Sequence, residues 1–274
     1  MLTHQDRLSN IRLTLHRNNT DNNLIKETIT TILKTTIHPR LLMEEQRSPL
    51  MKLMQVEGFK PFSGPDAIRV YGKARERMNM ENVKEDDLLN AVSSLGVLLE
   101  TEIALMYALQ DQICTNCGNC CTENKSLRVQ KTELKQIAEY KNTSYKKIKK
   151  QIHARPRRDG SMRITRRPCP FHEGEQCTIY PLRPAECRSY PVSALLKSLG
   201  GKSTYPEDCE ISDQLLVEIA IKRALEEKMN RENPELMKEL TEKKKQELQK
   251  LSGMTQNQRL TYLTKRYQNT LNQG

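Results

Sequence analysis

CTNCGNCC at 114–121 and CPFHEGEQCTIYPLRPAECRSYP at 169–191 decide how this chain is organised. Together they carry seven of its eight cysteines, Cys114, Cys117, Cys120, Cys121, Cys169, Cys177 and Cys187, and the eighth, Cys209, follows in YPEDC. Four sulfurs within eight residues, spaced C-x2-C-x2-C and followed at once by another Cys, let the backbone curl around one metal centre. Gly118 in that loop is free to take a conformation that costs a residue with a side chain more. Adjacent Cys120 and Cys121 normally point in different directions, so one of them is able to face a second site. Eight thiols concentrated in one stretch are not the pattern of buried small hydrophobes scattered through a core.

Outward from this stretch the charge follows the cysteines. The chain carries a formal +11, and residues 111–210 hold 19 basic against 11 acidic side chains, whereas 1–110 are balanced at 14 and 14. Thiolate ligands would be partly offset by this local excess. Three regions are therefore expected: helices in 1–110, a cysteine-cluster metal-binding domain in 111–210, and a charged helical extension in 211–274. With 274 residues, 36% hydrophobic and 29% charged side chains and no Trp, the chain can bury one large or two modest cores without metal. The fold class expected is mainly α, with an irregular cysteine-rich core and one small β-hairpin.

Periodicity predicts helices over 22–36, 40–56, 66–79 and 84–112. In the last, Leu88, Val92, Leu95, Leu99, Ile103, Met106 and Leu109 recur at three and four residues, forming an apolar face that ends close to Cys114. The N-terminal helices are thereby expected to provide a rigid wall for whatever the cysteines bind. Within the central region, KTELKQIAEY reads as a helix capped by Thr132, and YKKIKKQI as a helix capped by Ser144. Asn142 marks the turn between them, and Asp159-Gly160 the turn of the hairpin. Toward the C-terminus, DQLLVEIAIKRALEEKMN gives a partly apolar helix through Leu215, Leu216, Ile219, Ile221 and Leu225. Pro234 restarts a polar helix with Leu236, Leu240 and Leu248 on a thin stripe and a Glu239–Lys243 pair.

No apolar leader with a cleavage pattern opens the sequence, and Glu100 and Glu102 interrupt its most apolar stretch, so a cytoplasmic protein without a membrane span is expected. A reducing compartment disfavours structural disulfides. His172 lies close enough to Cys169 and Cys177 to enter a metal's surroundings, although a hydrogen-bonded loop imidazole is the simpler reading. His153 is a weaker candidate, and the histidines at 4, 16 and 38 have no ligand-like spacing. Arg183 and Arg188 flank Cys187 and are placed to offset ligand charge, bind an anion or form structural ion pairs. Tyr180 and Tyr190 are placed to seal the centre from water. Glu100 and Glu102, two apart on a helix, make a poor carboxylate pair. No catalytic residue is assigned.

The basic run from Lys146, Lys147, Lys149 and Lys150 through Arg155, Arg157, Arg158, Arg163, Arg166 and Arg167 is able to meet phosphate. Only Tyr145 interleaves it, so nucleic acid is not the favoured partner. The helical regions are the expected surface for a protein partner, although the C-terminal heptads are too short to sustain a coiled coil, which leaves most of that extension a solvated helix.

These motifs resemble the YkgJ-type cysteine-cluster family, described as zinc- or iron-chelating. The match runs through Cys114, Cys117, Gly118, Cys120 and Cys121, then Cys169 to Phe171, Cys177 with Ile179 and Tyr180, and Arg183 and Pro184 with Cys187 and Arg188. The same cluster occurs in flagellin lysine methylases, but nothing in the flanking helices matches those enzymes. The resemblance implies that the eight cysteines are the ligands of one or two iron-sulfur clusters, 4Fe-4S in type, with zinc as the alternative. The function expected is redox or modification chemistry. The alternative is a zinc-stabilised interaction module without catalysis, since saturated thiolate sites leave no open position.

Overall fold

The computed structural model describes residues 62–78, 83–123, 127–165, 168–174 and 176–273. The helices expected over 22–36 and 40–56 lie outside the described residues. The chain clusters into two compact units, Met1–Ile113 with Asp213–Gly274, and Cys114–Ser212.

In the first unit, α1 (Pro65–Arg77) starts with Pro at its first helical position, has Asp66 in its first turn and Arg75 and Arg77 in its last, charges that complement the helix dipole. Ala67, Val70 and Ala74 form its buried stripe. The single helix expected over 84–112 is instead two: α2 (Glu85–Ser93) leads through a 3-10 turn at Ser94–Gly96 into α3 (Glu100–Ile113), with a 94° bend between them. The bend has a tertiary cause. Arg223, on the buried helix α9 (Ile211–Glu232), donates to Ser94 Oγ at 2.7 Å and to the Val97 carbonyl at 2.8 Å, polar groups that a continuous helix would not present. Its guanidinium also grips Glu102 at 2.8 and 2.6 Å, and Glu102 in turn accepts the Leu99 N–H at 2.9 Å. Glu102 and Arg223 are almost completely buried.

Glu102 therefore anchors a corner, and Glu100 pairs with Arg259 at 3.0 Å. α10 (Pro234–Leu251) restarts after Asn233 with Pro at its first position, as the Pro234 signal implies. Its buried stripe runs through Met237, Leu240 and Leu251. Leu236, expected on that stripe, is instead exposed, because the buried face is set by the packing of the whole unit. The Glu239–Lys243 pair forms at 2.5 Å. α11 (Gln256–Gln273) runs parallel to α3, with Arg259 at Glu100, Gln268 at Asp111 and Asn272 at Gln112. It buries Leu263 and Tyr267. No single described helix is long and apolar enough to cross a membrane.

The second unit is a small α/β arrangement. α4 (Asn119–Glu123) carries Cys120 and Cys121, and β1 (Leu127–Val129), α5 (Lys131–Tyr140) and α6 (Tyr145–Gln151) follow. The expected Thr132 cap is corrected: Gln130 is the cap residue, and Glu133 accepts its N–H at 2.8 Å, a capping-box contact made by the residue three positions on. Ser144 caps α6 through Lys147 N–H, 3.2 Å away. The Asp159-Gly160 turn joins β2 (Arg155–Pro156) to β3 (Met162–Ile164), with Gly160 at φ 77°. β1 adds to the other side of β3, giving the antiparallel order β1-β3-β2. Leu127, Val129, Met162 and Ile164 then share one buried face with Leu134, Ile137, Ile148 and Ile152. A second hairpin, β4 (His172–Glu173) and β5 (Gln176–Cys177), was not expected. Its turn residue, Gly174 at φ 61°, is the signal that marks it. α7 (Ala185–Ser189) and α8 (Val192–Leu199) complete the unit.

Candidate metal centre

The cysteines of the second unit are seated on its hydrophobic core. Cys169 is buried in it, with Phe171 and Ile179 beside it, and Cys121, Cys177 and Cys187 pack against it half-buried. Each arrives on a separately built piece of backbone. In the first loop, Asn116 at φ 57° and Gly118 at φ 78° both take left-handed conformations. The chain is thus curled twice between Cys114 and Cys120, after which Cys121 N–H closes α4 onto Gly118 O at 2.7 Å. The freedom expected of Gly118 is used, and Asn, which tolerates this region better than most residues, supplies the second turn that sequence reasoning passed over.

The two cysteine motifs are then stitched together by main chain. Cys169 N–H donates to Cys121 O at 2.9 Å, and His172 N–H to Cys169 O at 2.9 Å. In β4–β5, His172 stands opposite Cys177. α7 brings Cys187, held by Glu133, which accepts Ala185 N–H at 2.7 Å and meets Arg188 at 3.8 Å. Cys209 lies on a loop anchored to the first motif by Asn119 Nδ2, which donates to Asp208 O at 3.2 Å.

Electrostatic neighbours divide the eight thiols into two groups. The thiol of Cys121 is within hydrogen-bond reach of Cys120, Cys169 and Cys177, and these contacts together with burial push its ionisation far upward. The same contacts draw the opposite response from their partners: the hydrogen bond from Cys121 pulls Cys120 and Cys177 down to about 7. Cys187 is raised by burial and by the nearby Cys120, Cys169 and Cys177. These five form one group. Cys209 is raised to about 11, first by burial, with Cys114 and Cys117 close enough to add to the effect, which makes the second group. Cys120 and Cys121, adjacent in sequence, stay in the same group.

Tyr190 borders both groups. Burial raises its phenol, and Cys209, Asp208, Cys120 and Cys117 add to the effect. The guanidinium of Arg183 lies 3.8 Å over the Tyr180 ring, and its charge favours the thiolates of Cys120, Cys177 and Cys187. Arg188 instead turns to Glu133 and the Arg183 carbonyl. The two arginines flanking Cys187 therefore divide into one that faces the sulfurs and one that fixes the loop.

His172 is the imidazole nearest this chemistry. Its Nε2 is buried without a hydrogen-bond partner. It lies against Gly118, where a Cβ would come within 2.2 Å of it. His153 sits at the end of α6, in left-handed backbone at φ 52°.

Among the described residues no group of three or more Cys, His, Asp and Glu surrounds one point closely enough to hold a metal ion. Around Cys121 the sulfurs hydrogen-bond one another instead, so gathering them around an ion requires rotation about their Cα–Cβ bonds. Exposed Cys117 and Cys120 have the room for it. In kind, the donor set fits a soft or borderline metal: free thiols, a flanking guanidinium to offset thiolate charge and a buried imidazole nitrogen still unsatisfied.

Comparison with known proteins agrees with this chemistry. Residues 113–214 match the model of the CxxCxxCC family, whose description reads "Putative zinc- or iron-chelating domain". No curated protein and no solved structure matches the chain. With its paired cysteine motifs mounted on a small core of their own, the segment 113–214 matches the CxxCxxCC, or YkgJ-type, cysteine-cluster family.

Proposed function

We propose that this chain is a cytoplasmic iron-sulfur protein whose cluster is held by the group around Cys121, and that it serves redox or modification chemistry. The observation that carries the reading is the reach of the Cys121 thiol to Cys120, Cys169 and Cys177. Four sulfurs from two motifs are thereby neighbours at the edge of a dry core. Thiolates this close repel one another, and a cationic iron centre relieves that repulsion. When bound, a 4Fe-4S cluster supplies one-electron transfer or, at an iron short of a protein ligand, a Lewis-acidic position.

The chain's own side chains have separate tasks. Cys120, Cys121, Cys169 and Cys177 hold the cluster, and Cys187 stands beside them. Cys114, Cys117 and Cys209 form the smaller group, with three thiols where a saturated tetrahedral site uses four ligands. Arg183 offsets thiolate charge, and Tyr190 limits water between the groups.

Anaerobic purification with iron, zinc and acid-labile sulfide determinations, followed by Mössbauer and paramagnetic-resonance spectroscopy, tests the reading. Iron and sulfide in roughly equal amounts support it. Zinc without sulfide overturns it in favour of a zinc-stabilised module for binding a partner.

A further inference from the structure

We propose that the Cys114–Ser212 unit carries a second binding site, for the compact polyphosphate group of a small molecule, in a concavity lined by Lys146, Lys149, Lys150, His153 and Arg155. The concavity measures about 350 Å³, within the range of small-ligand sites.

Its walls follow from how α6 begins and ends. Lys146, Lys149 and Lys150 recur at the three- and four-residue spacing that places side chains on one helix face. The helix then closes with a Schellman motif: His153 N–H donates to Lys150 O at 3.1 Å and Ala154 N–H to Lys149 O at 3.0 Å. The motif puts His153 at the left-handed position that glycine usually fills, and His153 takes it at φ 52°. This turn brings His153 and then Arg155, the first residue of β2, back against the lysine face. Buried Ala154 completes the lining.

Among the described residues no carboxylate compensates the charge of the concavity. Among the described residues none of Lys146, Lys149, Lys150 and Arg155 pairs with a carboxylate, whereas Arg128 and Arg157 share Asp159 and Arg188 meets Glu133. Lys146, Lys150, His153 and Arg155 are exposed, and cations from a helix and a strand line one open hollow, where their fields add. Phosphate oxygens match these donors. A single-stranded nucleic acid fits less well. It needs a track for its backbone and aromatic faces for its bases, and the lining has no aromatic side chain.

The test is calorimetric titration of sodium tripolyphosphate into the full metal-loaded chain at low salt, with three variants alongside. Saturable one-to-one binding is expected. It should weaken tenfold or more in Lys149→Gln/Lys150→Gln and severalfold in His153→Gly. The thermal midpoint of His153→Gly should not fall, because glycine is favoured at that position. Lys147→Gln, which removes the same charge outside the lining, should bind as the parent does, and any stripping of metal by the phosphate would show equally in it. Absence of saturable binding, equal weakening in Lys147→Gln, or tighter binding of a single-stranded oligonucleotide or an acidic peptide would overturn the proposal.

Discussion

Replacing Gly118 by Ala tests the site at the point where its two motifs touch. Gly118 has φ 78°, and a Cβ there would lie 2.2 Å from His172 Nε2. A side chain in left-handed backbone costs about 1–2 kcal/mol. Restoring an ordinary contact of about 3.5 Å requires the ring to retreat by about 1.3 Å. His172 cannot retreat freely, because its N–H is bonded to Cys169 O and its strand pairs it with Cys177. An off-rotamer imidazole adds about 0.5–1.5 kcal/mol. The sum is about 1.5–3.5 kcal/mol, which corresponds to a loss of metal affinity of about ten- to three-hundredfold if the strain falls on the bound form. A competition titration against a chromophoric chelator reads the affinity, and thermal unfolding of the apoprotein reads the strain. Adding His172→Ala should recover the steric part of the stability and leave the backbone part. If Gly118→Ala keeps parental metal affinity and melting temperature, the close approach of the two motifs is not as described.

Substituting Cys121 by Ser should remove most of the bound metal, whereas Cys114→Ser should leave the group around Cys121 loaded; metal per chain, measured by elemental analysis, distinguishes them. Arg223→Met leaves buried Glu102 with only Lys222, 3.8 Å away, and the Leu99 N–H as partners and should cost about 3 kcal/mol in chemical denaturation. Glu102 also sets an acid limit. Burial works to raise its ionisation, but the charge and hydrogen bonds of Arg223, with Lys222 and the Leu99 N–H, outweigh it and bring it from 4.5 to about 2. Its folded value being the lower one, its contribution of about 3 kcal/mol is complete above the unfolded value and is lost as pH falls from about 4.5 through 2. Denaturation curves across that window should show the loss in the parent, and a Glu102→Gln variant should show much less of it.

Much of this was legible from local patterns. Ser144 caps α6 because its hydroxyl oxygen, placed just before the helix, accepts from an otherwise orphan helix N–H, that of Lys147. The Asp159-Gly160 turn and the left-handed Gly118 follow from glycine's missing Cβ. Other features depend on distant residues. The bend between α2 and α3 needs Arg223, far along the chain. The cap of α5 at Gln130 rather than Thr132 is itself local, through Glu133, but the other oxygen of that carboxylate reaches Ala185 and Arg188, which spacing along the chain does not show. Leu236 left the buried stripe because Met237 faces the unit's interior. Neither Asn116 nor the β4–β5 hairpin announced itself by hydrophobic alternation, since each is shaped by turns rather than by a buried face.

The identity of the donor atoms, their crowding into 114–209 and the basic excess around them belong to the sequence alone, since ligand type and short spacing are local properties of the chain. Which thiols are neighbours is a tertiary matter. Cys121 meets Cys169 and Cys177 rather than Cys114, because β4–β5 and the main-chain bond from Cys169 to Cys121 fold the second motif onto α4. The division of Arg183 and Arg188 between sulfur and carboxylate is decided the same way. Spacing along a chain limits what short loops can reach, and only the packing of the loops against a common core selects among the pairings that spacing permits.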